Sequence, residues 1–156
     1  MTIEFFVPGN PVQQGSLRGF VVKGRAVITA DNKAPLRNWR ASVQQAAADA
    51  VPEPLSGPIE IGARFVLSRP QSAPKSRIWP DVQPDLDKLV RALLDSLTGI
   101  AFHDDKQVCR LAAVDKVYAT PSGQTGAIVR IRSLVGGFPV GQEAVVPDLL
   151  VPVDSA

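Results

Sequence analysis

Along the first 134 residues, apolar positions follow two rhythms, alternation and a spacing of three to four, and each rhythm marks an element. Residues 3–7 read as a short strand, ended by Pro8-Gly9-Asn10-Pro11. Two apolar runs, 20–22 and 26–29, flank Lys23-Gly24-Arg25. A central glycine permits a positive φ, so a β-hairpin is expected here, with both basic residues at its tip. Leu36, Trp39, Val43, Ala46, Ala47 and Ala50 recur at helical spacing and predict a helix over 35–50. Pro35 suits its first turn, and Pro52 and Pro54 end it. Residues 59–67 alternate and predict a strand.

Residues 68–84 hold four prolines and neither rhythm. Loops this long inside a compact domain are usually functional or disordered. The clearest helix follows, over 86–97: Leu86, Leu89, Val90, Leu93, Leu94 and Leu97 mark one face, and Thr98-Gly99 stop it. Residues 100–102 form a short apolar piece. Residues 108–118 and 127–131 read as strands joined by a turn around Pro121-Ser122-Gly123. The order β-β-β-α-β-α-β-β predicts a single α/β (α+β) domain, a mixed β-sheet with two main helices packed on it. After Leu134 both rhythms end and Gly136-Gly137 and three prolines follow. Residues 1–134 are expected to be the domain, and 135–156 an appended tail, partly docked or flexible.

Composition adds bounds. A chain of 156 residues, 45% apolar, suits one globular domain. Its one cysteine, Cys109, has no partner for an internal disulfide, and its apolar strand predicts core packing. The start lacks a signal-peptide pattern, and no run approaches the ~18 apolar residues of a membrane span. A soluble, cytoplasmic protein with no membrane partner is expected.

Charge changes the picture once it is divided. The net +2 hides a tail with no Lys or Arg and three acids; without it, residues 1–134 carry 17 bases against 12 acids, a net of +5. Arg18, Lys23, Arg25, Lys33, Arg37 and Arg40 face only Asp31 within 18–40, and the 68–84 loop adds Arg69, Lys75 and Arg77. A basic stripe of this kind suits a polyanion such as nucleic acid, although many basic faces are merely solvated.

Candidate chemistry lies around the 86–97 helix. Asp85 and Asp87 would stand about 200° apart on a helix but share a side of extended chain. Asp85 is therefore expected before the helix and Asp87 at its cap or first turn, both near the positive end of the helix dipole. Capping accounts for one Asp; two crowded carboxylates also suit a shared cation, and both readings stay open. His103-Asp104-Asp105-Lys106 follows the same helix. A polar turn explains it, and so does a second set of ligands, of which only one Asp need face a site. Oxygen donors without a Cys or His framework suit a hard cation, Mg²⁺ with Mn²⁺ as substitute, rather than zinc. Arg91 lies four residues after Asp87 and four before Asp95, which fits an ion-pair ladder or a charge-stabilising group facing a phosphate. His103, the one histidine, is of a residue type that can serve as a general base but sits in a turn that explains it without catalysis.

The stretch 84–107, PDLDKLVRALLDSLTGIAFHDDKQ, resembles the signature of the RusA-type Holliday-junction resolvases. That family has an Asp-Leu-Asp-Asn-Leu motif opening a helix, a basic residue four places on, and an Asp-Asp-x-Gln-Val segment. The matching residues are Asp85-Leu86-Asp87-Lys88-Leu89, Arg91 and Asp104-Asp105-Lys106-Gln107-Val108. The resemblance covers 84–118 well and 1–134 loosely. It implies a Mg²⁺-dependent homodimer that resolves four-way DNA junctions by paired symmetric nicks, in DNA recombination and repair, in a bacterial or phage-infected cell. It also implies that Asp85, Asp87 and Asp105 bind the metal, with Asp104 as the other member of its pair.

Arg18, Lys23, Arg25, Arg37, Arg40, Lys75, Arg77 and Lys116 are the expected DNA-backbone contacts. Two departures stand out: Lys88 replaces the usual Asn, and Arg91 replaces a Lys. Arg keeps the charge but cannot transfer a proton, so only a charge-stabilising role carries over. These departures leave one rival open, a junction-binding protein with a degenerate active site. An Asp-x-Asp-x-Thr phosphatase fits poorly, because Leu89 stands where Thr is needed.

Overall fold

The computed structural model describes residues 1–15, 17–30 and 33–134. The expectation for the 135–156 tail lies outside them. Six strands and two helices follow in the predicted order: β1 (Thr2–Pro8), β2 (Leu17–Val22), β3 (Arg25–Ala30), α1 (Lys33–Ala50), β4 (Ile59–Leu67), α2 (Leu86–Leu97), β5 (Val108–Tyr118) and β6 (Gly126–Ser133). A one-turn 3-10 helix, Asp105–Gln107, precedes β5. Helix α1 starts before Pro35, which leaves the proline within its first turn as expected.

Four strands form one mixed sheet in the order β1-β6-β4-β5, with β4 and β5 parallel and the other pairs antiparallel. The β2–β3 hairpin is a separate two-stranded sheet. Parallel strands need a crossover, and α2 supplies the one between β4 and β5. That connection makes α2 antiparallel to its two strands. It therefore places the start of α2 near the C-terminal ends of β4 and β5, and the end of α2 near their beginnings.

The core lies on one face of the sheet. Ile59, Ile61, Ala63, Phe65 and Leu67 of β4, with Val129 and Ile131 of β6, meet Leu89, Leu93 and Leu97 of α2 and Trp39, Val43 and Ala47 of α1. The opposite face carries paired charges: Arg130 with Glu4 (2.7 Å), Arg64 with Asp115 (2.7 Å), and Glu60 between Arg132 (2.8 Å) and Arg110 (3.0 Å). Glu60 is only 8% exposed. Burial pushes its carboxyl up, but hydrogen bonds and charge from Arg132 and Arg110 outweigh that and hold it below the ordinary value.

Cys109 departs from expectation: it is exposed rather than packed in the core. The cause is register. The β4–β5 pairing slips between Ile59/Glu60, Val108 pairing with Ile59 and Arg110 with Glu60, so Cys109 is the extra residue on an edge strand. Its thiol donates to the Gln107 carbonyl at 3.4 Å.

Candidate active site

The start of α2 is held from two sides. The Asp85 N–H donates to the Gln13 side-chain oxygen (2.6 Å), and the Gln14 N–H to the Lys88 carbonyl (3.0 Å). The segment after β1 thus lies against the first turn of α2. From the sheet, the Lys116 ammonium donates to the carbonyls of Val82 (2.7 Å) and Pro84 (2.8 Å). The Tyr118 N–H donates to the Ile78 carbonyl (2.9 Å), and Arg69 stands over the Tyr118 ring at 5.2 Å. These contacts tie the proline-rich 68–84 segment to the C-terminal end of β5 and set where Asp85 emerges.

Asp85 occupies the N-cap of α2 in extended conformation, as its position before the helix required, but its side chain makes no capping bond. Its carboxylate pairs with Lys88 at 2.9 Å, which raises the Lys88 ammonium above its ordinary value. Asp87 is exposed in the first turn. Capping therefore does not explain the two acids. Arg91 is exposed, one turn beyond Asp87, and among the described residues it pairs with neither Asp87 nor Asp95. The ladder reading of Arg91 thus finds no support, and its guanidinium faces solvent on the side of the helix that carries Asp87.

Beyond the other end of α2, Gly99 takes a positive φ (82°) and turns the chain back. Phe102 is fully buried and bridges to Leu55 and Thr98. Asp104 and Gln107 then close a capping box around the short 3-10 turn. The Asp104 carboxylate accepts from the Lys106 N–H (3.0 Å), and that bond, with the Lys106 ammonium, holds its carboxyl below the ordinary range. Gln107 accepts from the N–H groups of His103 (2.8 Å) and Asp104 (3.0 Å) and donates to the carbonyls of Leu55 and Gly57 (both 2.9 Å). Asp105 is exposed and takes no part in the box. His103 is exposed, with ring Nε2 at 3.5 Å from Ser56 Oγ.

The two acid groups stand at opposite ends of α2. A 12-residue helix is about 18 Å long. The sheet gives a second ruler: Lys116 marks the Asp85 end and Val108, three residues past Asp105, the other, and the strand between spans about 26 Å. Among the described residues no three His, Cys, Asp or Glu side chains are grouped to hold a metal ion. The donor chemistry suits a hard divalent cation, but a single chain does not assemble Asp85, Asp87 and Asp105 into one site.

The other expected contacts are dispersed. Lys23 and Arg25 are exposed at the hairpin tip, where Lys23 (φ 49°) and Gly24 (φ 75°) make the turn. Backbone 18 lies in β2, and the Arg18 side chain falls outside the described residues. Arg37 is exposed and Arg40 half-buried on α1; Lys75 is exposed, and Arg77 pairs with Asp81 at 3.2 Å. Lys116 is engaged by main-chain carbonyls and so acts first on the protein itself. The roles of Gln13 and Gln107 escaped the reading of the sequence. The Asp104-x-x-Gln107 spacing carried the signal for one of them, because it is that of a capping box.

The fold is a single α/β (α+β) domain, a mixed sheet with two helices packed on one face and two carboxylates at the start of its crossover helix. The particular family follows from comparison: residues 8–132 match the model described as Endodeoxyribonuclease RusA, and the chain belongs to that family of junction-DNA endonucleases. It is also 29% identical over 128 residues to YqaN of Bacillus subtilis (strain 168), a protein described as uncharacterized; the match spans 75% of this chain and 88% of that one. Among the described residues no helix is long and apolar enough to cross a membrane.

Proposed function

We propose that this protein is a divalent-cation-dependent endonuclease that resolves four-way DNA junctions by paired symmetric nicks, acting as a homodimer in DNA recombination and repair in the cytoplasm. Mg²⁺ is the expected cation and Mn²⁺ its substitute. The observation that carries the reading is the start of α2, where the Asp85 side chain makes no capping bond, Asp87 is exposed and, among the described residues, Arg91 has no ion-pair partner one turn on. Asp85, Asp87 and Asp105 are the proposed ligands. Arg91 is the proposed group that stabilises negative charge on the cleaved phosphate. Lys23, Arg25, Arg37, Arg40 and Lys75 are proposed to hold the DNA backbone, which fixes position rather than sequence.

A second reading, binding without cleavage, is favoured by one contact: the Lys88 ammonium at 2.9 Å already neutralises Asp85. A synthetic four-way junction separates the two. Nicking with Mg²⁺, beside gel-shift binding in EDTA, supports the nuclease. Binding with no nicking in either Mg²⁺ or Mn²⁺ leaves the non-catalytic protein.

A further inference from the structure

The cations proposed above grip phosphates, which a duplex and a four-way junction share. A junction differs at its branch point, where helical stacks end and base faces lie open. The segment that leads into Asp85 carries a surface suited to such a face. Trp79 is 59% exposed there, with Ile78 (57%) and Val82 (54%) in the same segment, whereas the other tryptophan, Trp39, is 2% exposed in the core. Large apolar side chains gathered in water mark a place of contact rather than ordinary surface. Pro74, Ser76, Arg77, Ile78 and Trp79 line a shallow hollow on it.

The backbone fixes this exposure. Pro80 is buried, the Ile78 carbonyl accepts from the Tyr118 N–H (2.9 Å), and Arg77 pairs with Asp81 (3.2 Å) across the stretch that carries Trp79. A few residues on, the Lys116 ammonium bonds the Val82 and Pro84 carbonyls. The end of β5 therefore holds both Trp79 and Asp85. Lys116 and Tyr118 are two strand residues apart, which puts Trp79 at most about 20 Å from Asp85, within about six nucleotides of a strand at about 3.4 Å each. Charge selects the occupant. Within 68–84, Arg69, Lys75 and Arg77 stand against Asp81 alone. An indole set among cations suits an aromatic ring carried on a polyanion better than an apolar protein face. We propose that Trp79 reads the branch point, its indole stacking on a base left open there, a role that rests on the nuclease reading for its substrate. Cations then supply affinity for any DNA, and Trp79 supplies the preference for a junction over a duplex, whose bases are already stacked.

Binding in EDTA to a synthetic four-way junction and to a linear duplex of the same sequence tests this without cleavage. Trp79→Ala should weaken junction binding about 10-fold and change duplex binding by less than about 2-fold, with Trp79→Phe keeping most of the junction affinity. The melting temperature should be the same in all three proteins, since the side chain lies outside the core. Tryptophan emission reads the contact itself. The junction should quench the wild type and leave Trp79→Phe, whose remaining indole is the buried Trp39, unchanged.

Equal loss of junction and duplex binding in Trp79→Ala, or no loss in either, overturns the assignment, and so does wild-type emission that the junction leaves unchanged. A wild type that is dimeric without DNA and a Trp79→Ala variant that is monomeric would place the patch between copies of the chain and overturn it too. A wild type with no preference for the junction leaves Trp79 nothing to read and has the same force. Selective junction binding with no nicking in Mg²⁺ or Mn²⁺ sinks the nuclease reading instead, and the quenching of Trp79 would still decide what it touches.

Discussion

At the start of α2, Asp85 makes no capping bond and Asp87 lies exposed, whereas past its other end Asp104 and Gln107 are woven into a turn with every polar atom of the Gln107 amide engaged. The first region holds one acid, Asp85, that pairs with Lys88 without capping the helix, and one, Asp87, for which the local structure shows no use. The second holds one acid that its structure uses and one, Asp105, that it only displays. A carboxylate motif therefore does not reveal its purpose by residue type. What separates function from architecture is whether local hydrogen bonding already accounts for the side chain.

Substitutions at the two ends should then part cleanly into losses of activity and losses of stability. The largest effect is expected at the first end: Asp87→Asn should lower junction nicking by at least about 1000-fold. Gel-shift affinity in EDTA and the melting temperature should be nearly unchanged; a comparable fall in stability would show that Asp87 is structural after all. Next, Arg91→Ala should cost about 100-fold in cleavage rate, with Arg91→Lys recovering much of it, because the role needs charge rather than proton transfer. Equal loss in both variants would point to guanidinium geometry instead.

At the second end, Gln107→Ala should destabilise the fold by about 2 kcal/mol, since it leaves the turn's N–H groups and the carbonyls before β4 without partners. Urea denaturation reads this, and a stable variant that has lost activity would move Gln107 into the site.

The smallest effect is expected at Asp104. Its carboxyl is held below the ordinary range by the Lys106 N–H and ammonium. A group whose folded value is depressed contributes stability above its unfolded value, about 3.9, and loses it as pH falls through the lower folded value. Asp104→Asn should therefore flatten the acid limb of the stability profile slightly and leave nicking intact. A loss of nicking there would exchange the assigned roles of Asp104 and Asp105. Independently of both ends, Lys23→Ala at the hairpin tip should reduce the slope of log affinity against log salt by about 1 if that residue meets a phosphate.

Much of the fold was legible because it rests on local periodicity. The three-to-four spacing of Leu89, Val90, Leu93 and Leu97 defines the buried face of α2 whatever surrounds it, and β4 and β5 have the expected bounds, Ile59–Leu67 and Val108–Tyr118. Cys109 was misread for a non-local reason. Its neighbours are apolar, but a register slip against β4 turns it outward, and register is a property of two strands rather than one. The buried Glu60, clasped by Arg110 and Arg132 from two other strands, was invisible for the same cause.

By itself, the sequence determined which acids, bases and turns this protein has, and through the 84–107 signature the family to which it belongs, because these depend on residue identity and short spacing. Only the tertiary structure decided where they stand. The parallel pairing of β4 with β5 makes α2 a crossover helix, and a crossover helix keeps the residues before it and after it a helix length apart. Twenty residues from Asp85 to Asp105 look like a single motif on paper; the rigid rise of the α-helix makes them two places.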